Sequence, residues 1–150
     1  MTTIRIEEYI ETIYIICLEK KIAKVSDIKN KLGLNSLATV TEMVQKMEEE
    51  KLVNYKKHRG VTLTKRGFKL GKQLIEKHKT IEELFEIINV RSSIASDDAC
   101  LVEHIISKET TQAIKKFVEF IQKEENEDIL ERLDDYYSKS SKKRKRENTR

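Results

Sequence analysis

Residues 37–64, LATVTEMVQKMEEEKLVNYKKHRGVTLT, contain the change of period that decides the fold. In the first half Val40, Met43, Val44 and Met47 recur at i, i+3, i+4 and i+7, an apolar stripe that predicts an amphipathic helix. The opposite face carries Ala38, Thr39, Thr41, Glu42, Gln45 and Lys46. In the second half Leu52-Val53-Asn54-Tyr55 and Val61-Thr62-Leu63-Thr64 are β-prone, the latter strictly alternating, and Lys56-Lys57-His58-Arg59-Gly60 joins them. These residues predict a hairpin with a basic tip.

Upstream, Ser26 is placed to cap a short helix carrying Ile28 and Leu32, Gly33 to end it, and Leu34-Asn35-Ser36 to form the turn into the next helix. Two short helices on a tight turn, followed at once by a hairpin, make a winged helix-turn-helix. In that arrangement the second helix enters the major groove and the wing meets phosphates. Ser26, Asn35, Ser36, Ala38, Thr39 and Thr41, with Glu42, Gln45 and Lys46, then face DNA, the hydroxyls and amides suiting base edges and Glu42 a cytosine. Lys57, His58 and Arg59 would neutralise phosphates, with Lys65 and Arg66 just beyond. The competing explanation is a solvated surface hairpin.

Before this block, residues 7–19 form an amphipathic helix with Ile6, Tyr9, Ile10, Ile13 and Cys17 on one side and Glu8 and Glu11 on the other. The two glutamates either solvate an exposed face or serve as ligands, and Cys17 reads as a small core residue. After the hairpin, Thr64 caps a long helix running from 65 into the eighties. Phe68, Leu74, Ile75, Ile81, Leu84, Phe85 and Ile88 are its expected buried positions, and His78 and Glu82 lie one turn apart near its middle.

Ser96 is placed to cap a helix with Asp97 and Asp98 in its first turn and with Cys100, Glu103 and His104 on one face. A thiolate, a carboxylate and an imidazole so close suit a divalent cation. Three ligands on one helix leave it incompletely coordinated, so donors from Glu8, Glu11 and His78 are expected to complete the set. A further helix at 110–123 would bury Ile114, Phe117, Val118 and Ile121, and Ile129, Leu130, Leu133 and Tyr136 predict a last one. That much apolar surface implies a homodimer, which gives a DNA reader two recognition helices for the two half-sites of a palindromic operator.

Composition agrees with a mostly α fold, namely an N-terminal winged helix-turn-helix domain plus a C-terminal helical dimerisation domain. Charged residues make up 37% and hydrophobic residues 38% of the 150, with no proline, no tryptophan and four glycines. The expected division is 1–73 for DNA binding, 74–137 for metal binding and dimerisation, and 138–150 as a disordered basic tail. That tail holds seven of the thirty Lys and Arg against one Glu and has no apolar residue, which adds either salt-sensitive attraction to DNA or only solubility. Two cysteines without a leader suggest a reducing, cytoplasmic setting, and no apolar run approaches the roughly 20 residues of a membrane span. A metal-dependent hydrolase is disfavoured, because no separate general base, oxyanion donors or phosphate-cradling glycine loop is evident.

With these residues in hand, the chain resembles the diphtheria-toxin-repressor family of metal-dependent transcriptional repressors, and within it the short manganese transport regulators. The resemblance rests on Glu7-Glu8-Tyr9-Ile10-Glu11 with Ile13-Tyr14, Met43-Val44-Gln45-Lys46-Met47, Arg59-Gly60-Val61-Thr62-Leu63-Thr64, His78, and Cys100 with Glu103-His104. It implies that Glu11, His78, Glu103 and His104 bind metal, and that the SH3-like third domain of longer members is absent. Glu8 falls where manganese regulators have Asp and iron-type members Met. Cys100 falls where manganese regulators have Glu and iron-type members Cys, so the ligand set is a hybrid. The implied cofactor is Mn²⁺, with Fe²⁺, Co²⁺ and Zn²⁺ as alternatives, and the implied role is repression of Mn²⁺ or Fe²⁺ uptake genes. The alternative is a metal-independent winged-helix regulator.

Overall fold

The computed structural model describes residues 3–147, with side chains to residue 139. The chain forms two compact units, 1–76 and 77–150, each described by itself.

The first unit is built on α1 (Ile4–Lys20), which buries Ile6, Tyr9, Ile10, Ile13, Tyr14 and Ile16 at helical spacing. Cys17 is half-buried and packs against this core, its Sγ 3.9 Å from the Val61 carbonyl, and burial raises the pKa of its thiol. Next come α2 (Val25–Lys31) and α3 (Leu37–Glu49), separated by Gly33 at φ +65°. Val40, Val44 and Met47 of α3 are fully buried, the stripe expected from their spacing. Strands β1 (Val53–Lys56) and β2 (Gly60–Leu63) pair antiparallel, with Val53 opposite Leu63 and Tyr55 opposite Val61.

The wing has a third partner that no periodicity announced: Ala23 exchanges two backbone hydrogen bonds of 2.9 and 2.8 Å with Val61. Gly60 stands beside this bridge at φ +117°, where a Cβ would press 2.8 Å from the Ala23 carbonyl oxygen.

Helix α4 (Lys65–Ile87) starts on its predicted cap, Thr64 Oγ1 accepting from the Gly67 amide at 3.1 Å. The same hydroxyl donates to the Lys51 or Leu52 carbonyl at 2.8 or 3.0 Å, tying the helix start to the loop before β1. Leu74 and Ile81 are buried, but Phe68 is 46% exposed and Ile88 lies beyond the helix end and is exposed. The face that packs inward here is the glycine face: a Cβ at Gly67 would collide with the Leu52 carbonyl oxygen, and one at Gly71 with the Tyr14 side chain. Phe68 is turned aside by one position and lays its ring 5.1 Å from that of Tyr14.

In the second unit, the later part of α4 is followed by α5 (Ser92–Val102), α6 (Lys108–Ile121), a 3₁₀ turn (Glu124–Asn126) and α7 (Glu127–Glu147). Ala95, Ala99, Val118 and Ile121 are buried, whereas Leu101, Ile105, Phe117, Phe120 and Tyr136 remain exposed. Asn126 closes the 3₁₀ turn by donating from Nδ2 to the Phe120 carbonyl at 2.6 Å.

Three expectations need correction. Ser26 and Ser96 do not cap their helices: α2 begins at Val25 after Lys24, α5 begins at Ser92 after Arg91, and neither has a side-chain cap. Both serines lie inside regular turns, because burial of Ile28, and of Ala95 with Ala99, carries each helix further upstream than its serine. Residues 138–147, expected to be disordered, continue α7 as helix, while 148–150 lie outside the described residues. Although this stretch has no apolar residue, Lys, Arg and Glu favour helix, and extending an existing helix needs no new nucleus.

Thr64→Ala should lower stability by about 1 kcal/mol through loss of the cap, and Gly67→Ala by about 3 kcal/mol through overpacking against backbone. Urea unfolding monitored by circular dichroism measures both. An unchanged midpoint for Gly67→Ala would contradict the packing described for the α4 start.

Candidate metal centre and DNA-binding face

Four of the six predicted metal ligands lie in the second unit: Cys100, Glu103 and His104 form one cluster, and His78 meets it at Glu103. His78 projects from α4 with Glu82 one turn later, Nε2 to Oε2 3.9 Å. Helix α5 ends at Val102, so Cys100 sits in its last turn, Glu103 is the C-cap and His104 lies in the turn beyond. The expectation that all three share a helix face is corrected to that extent. Because Glu103 keeps αR backbone angles, the ligand atoms of Cys100, Glu103 and His104 still fall within 4.8 Å of one another.

Glu103 is the pivot. Its carboxylate is fully buried, with Oε2 2.8 Å from His78 Nδ1, and Oε1 3.4 Å from His104 Nε2. Oε1 accepts no hydrogen bond. A buried carboxylate is costly unless neutralised, and a hydrogen bond to Oε2 alone leaves the acceptor capacity of Oε1 unmet, although His104 Nε2 lies nearby. An unsatisfied buried oxygen beside imidazole nitrogens and a thiol is the donor set a divalent transition metal fits. Lys77 was missed by sequence reasoning: its Nζ donates to the Ile106 carbonyl at 3.0 Å, holding the turn that carries Glu103 and His104 against α4. No sequence signal marks such a side-chain-to-backbone bond across 29 residues.

Glu8 and Glu11 belong to the first unit, one turn apart on α1, Glu8 exposed and Glu11 half-buried.

The first unit also presents the predicted DNA-reading residues. Ser36 caps α3 by accepting from the Thr39 amide at 3.3 Å, and Thr41 donates its hydroxyl to the Leu37 carbonyl at 2.9 Å. Asn35, Ala38, Glu42, Gln45 and Lys46 are exposed, and Thr39 is half-buried. At the wing tip Lys57, His58 and Arg59 are exposed, His58 at φ +68°. A concavity of about 350 Å³ lies between the start of α3 and the wing, bordered by Lys24, Ser26, Leu37, Thr41, Lys57 and Arg59. Lys24 and Leu37 were not among the predicted contacts; their place on this face follows from the Ala23 bridge and the true start of α3. Glu48 braces the wing by accepting the Tyr55 amide at 2.7 Å.

Comparison with known proteins bears on both halves. Residues 1–61 match the family model described as iron dependent repressor, N-terminal DNA binding domain, and residues 64–131 match iron dependent repressor, metal binding and dimerisation domain. The chain is 36% identical over 129 residues to the HTH-type transcriptional regulator MntR of Bacillus pumilus, covering 86% of this chain and 89% of that one. It is 37% identical over 134 residues to the MntR of Lysinibacillus sphaericus, covering 89% and 94%. The solved structure of the manganese regulator SloR superposes with a TM-score of 0.66 at 30% identity, covering 77% of this chain and 54% of that chain. The chain therefore belongs to the iron-dependent repressor family, whose members are metal-dependent DNA-binding transcriptional regulators and not enzymes.

Proposed function

We propose that this chain is a homodimeric repressor that binds a palindromic operator when loaded with Mn²⁺, and that it controls genes for Mn²⁺ or Fe²⁺ uptake. The single observation that carries the metal part is the fully buried Glu103 carboxylate, with one oxygen against His78 and the other without a hydrogen bond. His78, Cys100, Glu103 and His104 would hold the ion, with Glu8 and Glu11 contributing from α1. When bound, it supplies the positive charge that this cluster of acids lacks.

The chain's own residues do the rest. Glu103 and His78 hold the end of α5 to α4, and Lys77 fixes the turn beyond. In this reading the carboxylates of Glu8 and Glu11 would be drawn to the ion held by the second unit, and α4 supplies the covalent link because its helix includes residues of both units. Ligation spanning both units favours the arrangement that suits two half-sites, and operator affinity rises by no more than the metal's preference for that arrangement. The exposed apolar residues Leu101, Ile105, Phe117 and Phe120 supply a dimer face.

Mn²⁺ is placed first because relatives at 36–37% identity are named MntR and a solved neighbour is a manganese regulator. Carboxylate and imidazole ligands suit Mn²⁺ and Fe²⁺, whereas the Cys100 thiolate moves preference toward Fe²⁺, Co²⁺ and Zn²⁺.

Fluorescence anisotropy with an operator selected from random duplexes should show affinity rising by about 5- to 150-fold on adding Mn²⁺. His78→Ala should abolish that rise. Equal binding with and without Mn²⁺, Fe²⁺ or Zn²⁺ would contradict the proposal and leave the metal-independent regulator. Cys100→Glu should weaken Zn²⁺ binding more than Mn²⁺ binding in calorimetric titrations; an unchanged ratio would remove Cys100 from the ligand set.

A further inference from the structure

Charge is divided along this chain in three blocks. Residues 1–76 hold fifteen Lys and Arg against ten Asp and Glu, residues 77–137 hold eight against fifteen, and residues 138–150 hold seven against one. The DNA-reading unit is thus at +5, the rest of the second unit at −7, and the last thirteen residues at +6.

The second and third blocks meet inside one helix. Helix α7 runs unbroken from Glu127 to Glu147, with five acids and one arginine between 127 and 135, then a basic run from Lys139. A continuous helix cannot fold its second half back on its first, and at 1.5 Å per residue it carries the basic end away from the acidic start. Asp135 reaches Lys139 across one turn at 3.3 Å. Beyond that the register offers no carboxylate upstream: the positions three and four residues before 142, 143, 144, 145 and 146 are all Ser or Lys.

We propose that the basic end of α7 is a second, sequence-independent DNA contact, binding duplex phosphates through Lys139, Lys142, Lys143, Arg144, Lys145 and Arg146. Duplex DNA is the polyanion that a DNA-binding regulator already meets, and it presents one charge per roughly 1.7 Å of axis. A lipid surface is a poorer fit, since residues 138–150 include no apolar side chain to insert. This contact rests on the DNA-binding reading above but not on its metal dependence. Its physical role is to raise the local concentration of DNA without adding specificity, offsetting the repulsion from the −7 block.

The test compares the full chain with a full-length variant carrying Lys139→Gln, Lys142→Gln, Lys143→Gln, Arg144→Gln, Lys145→Gln and Arg146→Gln, which keeps helix-favouring residues. Binding to a labelled non-operator duplex is followed by anisotropy without added metal. Three lost phosphate contacts would flatten the log K against log salt slope by about 2.7, so that between about 50 and 200 mM NaCl the full chain loses about 40-fold more affinity than the variant. Equal slopes would overturn the proposal. So would a variant whose only change is its association state in sedimentation, which would assign the basic end to the acidic block of a second copy. The Mn²⁺-dependent gain on operator DNA is measured in both proteins: its presence with equal slopes removes only this contact, and its absence with unequal slopes removes only the metal reading.

Discussion

The second unit depends on one constraint, the removal of the Glu103 carboxylate from water against His78 at 2.8 Å. Burying an ionised carboxylate costs several kcal/mol unless partners replace its hydration. The fold supplies one partner from α4, 25 residues away in sequence, and leaves the second oxygen without a hydrogen bond. Much of the local architecture serves this contact. Helix α5 stops at Val102 so that Glu103 occupies its cap, Ala95 and Ala99 are small enough to be fully buried on α5, and Lys77 anchors the turn beyond through the Ile106 carbonyl. An apolar residue of similar size would pack there more cheaply. A charged one is physically reasonable if its charge is used.

Helix α4 does two jobs with two kinds of residue. Its first turns carry Gly67 and Gly71, which let backbone meet backbone and bring the helix onto Leu52 and Tyr14. Its later turns carry Lys77, His78 and Glu82, which serve the polar cluster. The DNA-reading unit has its own apolar core around Ile10, Val44 and Leu52. Regulation by metal would then act on how that unit is held and not on whether it exists.

The winged helix was legible because its signals are local. The 3.6-residue period of Val40, Val44 and Met47 gave way to alternation at Val61 and Leu63, and Gly33 and Thr64 took the turn and cap positions expected of them. Serines were less dependable markers: Ser36 and Ser107 cap helices, Ser26 and Ser96 do not, and only the buried faces of α2 and α5 decide which. Phe68 is bulky yet exposed, because the close approach of α4 to Leu52 and Tyr14 requires glycine on the inward face. In the metal centre, helical spacing grouped Cys100 with Glu103 and His104. The meeting of His78 with Glu103 is a tertiary fact that periodicity cannot carry; it was expected only because three donors on one helix leave an ion incompletely coordinated, and because the family resemblance implied the same residue. Contacts such as Ala23 with Val61 and Lys77 with Ile106 involve backbone acceptors and leave no trace in residue type.

The most direct test is a crystal grown with Mn²⁺ and measured at the manganese absorption edge. The account predicts an anomalous peak within coordination distance of Glu103, His78 and His104, with Glu11 joining from α1. A peak elsewhere, or none while Glu103 stays bonded to His78 alone, would contradict it.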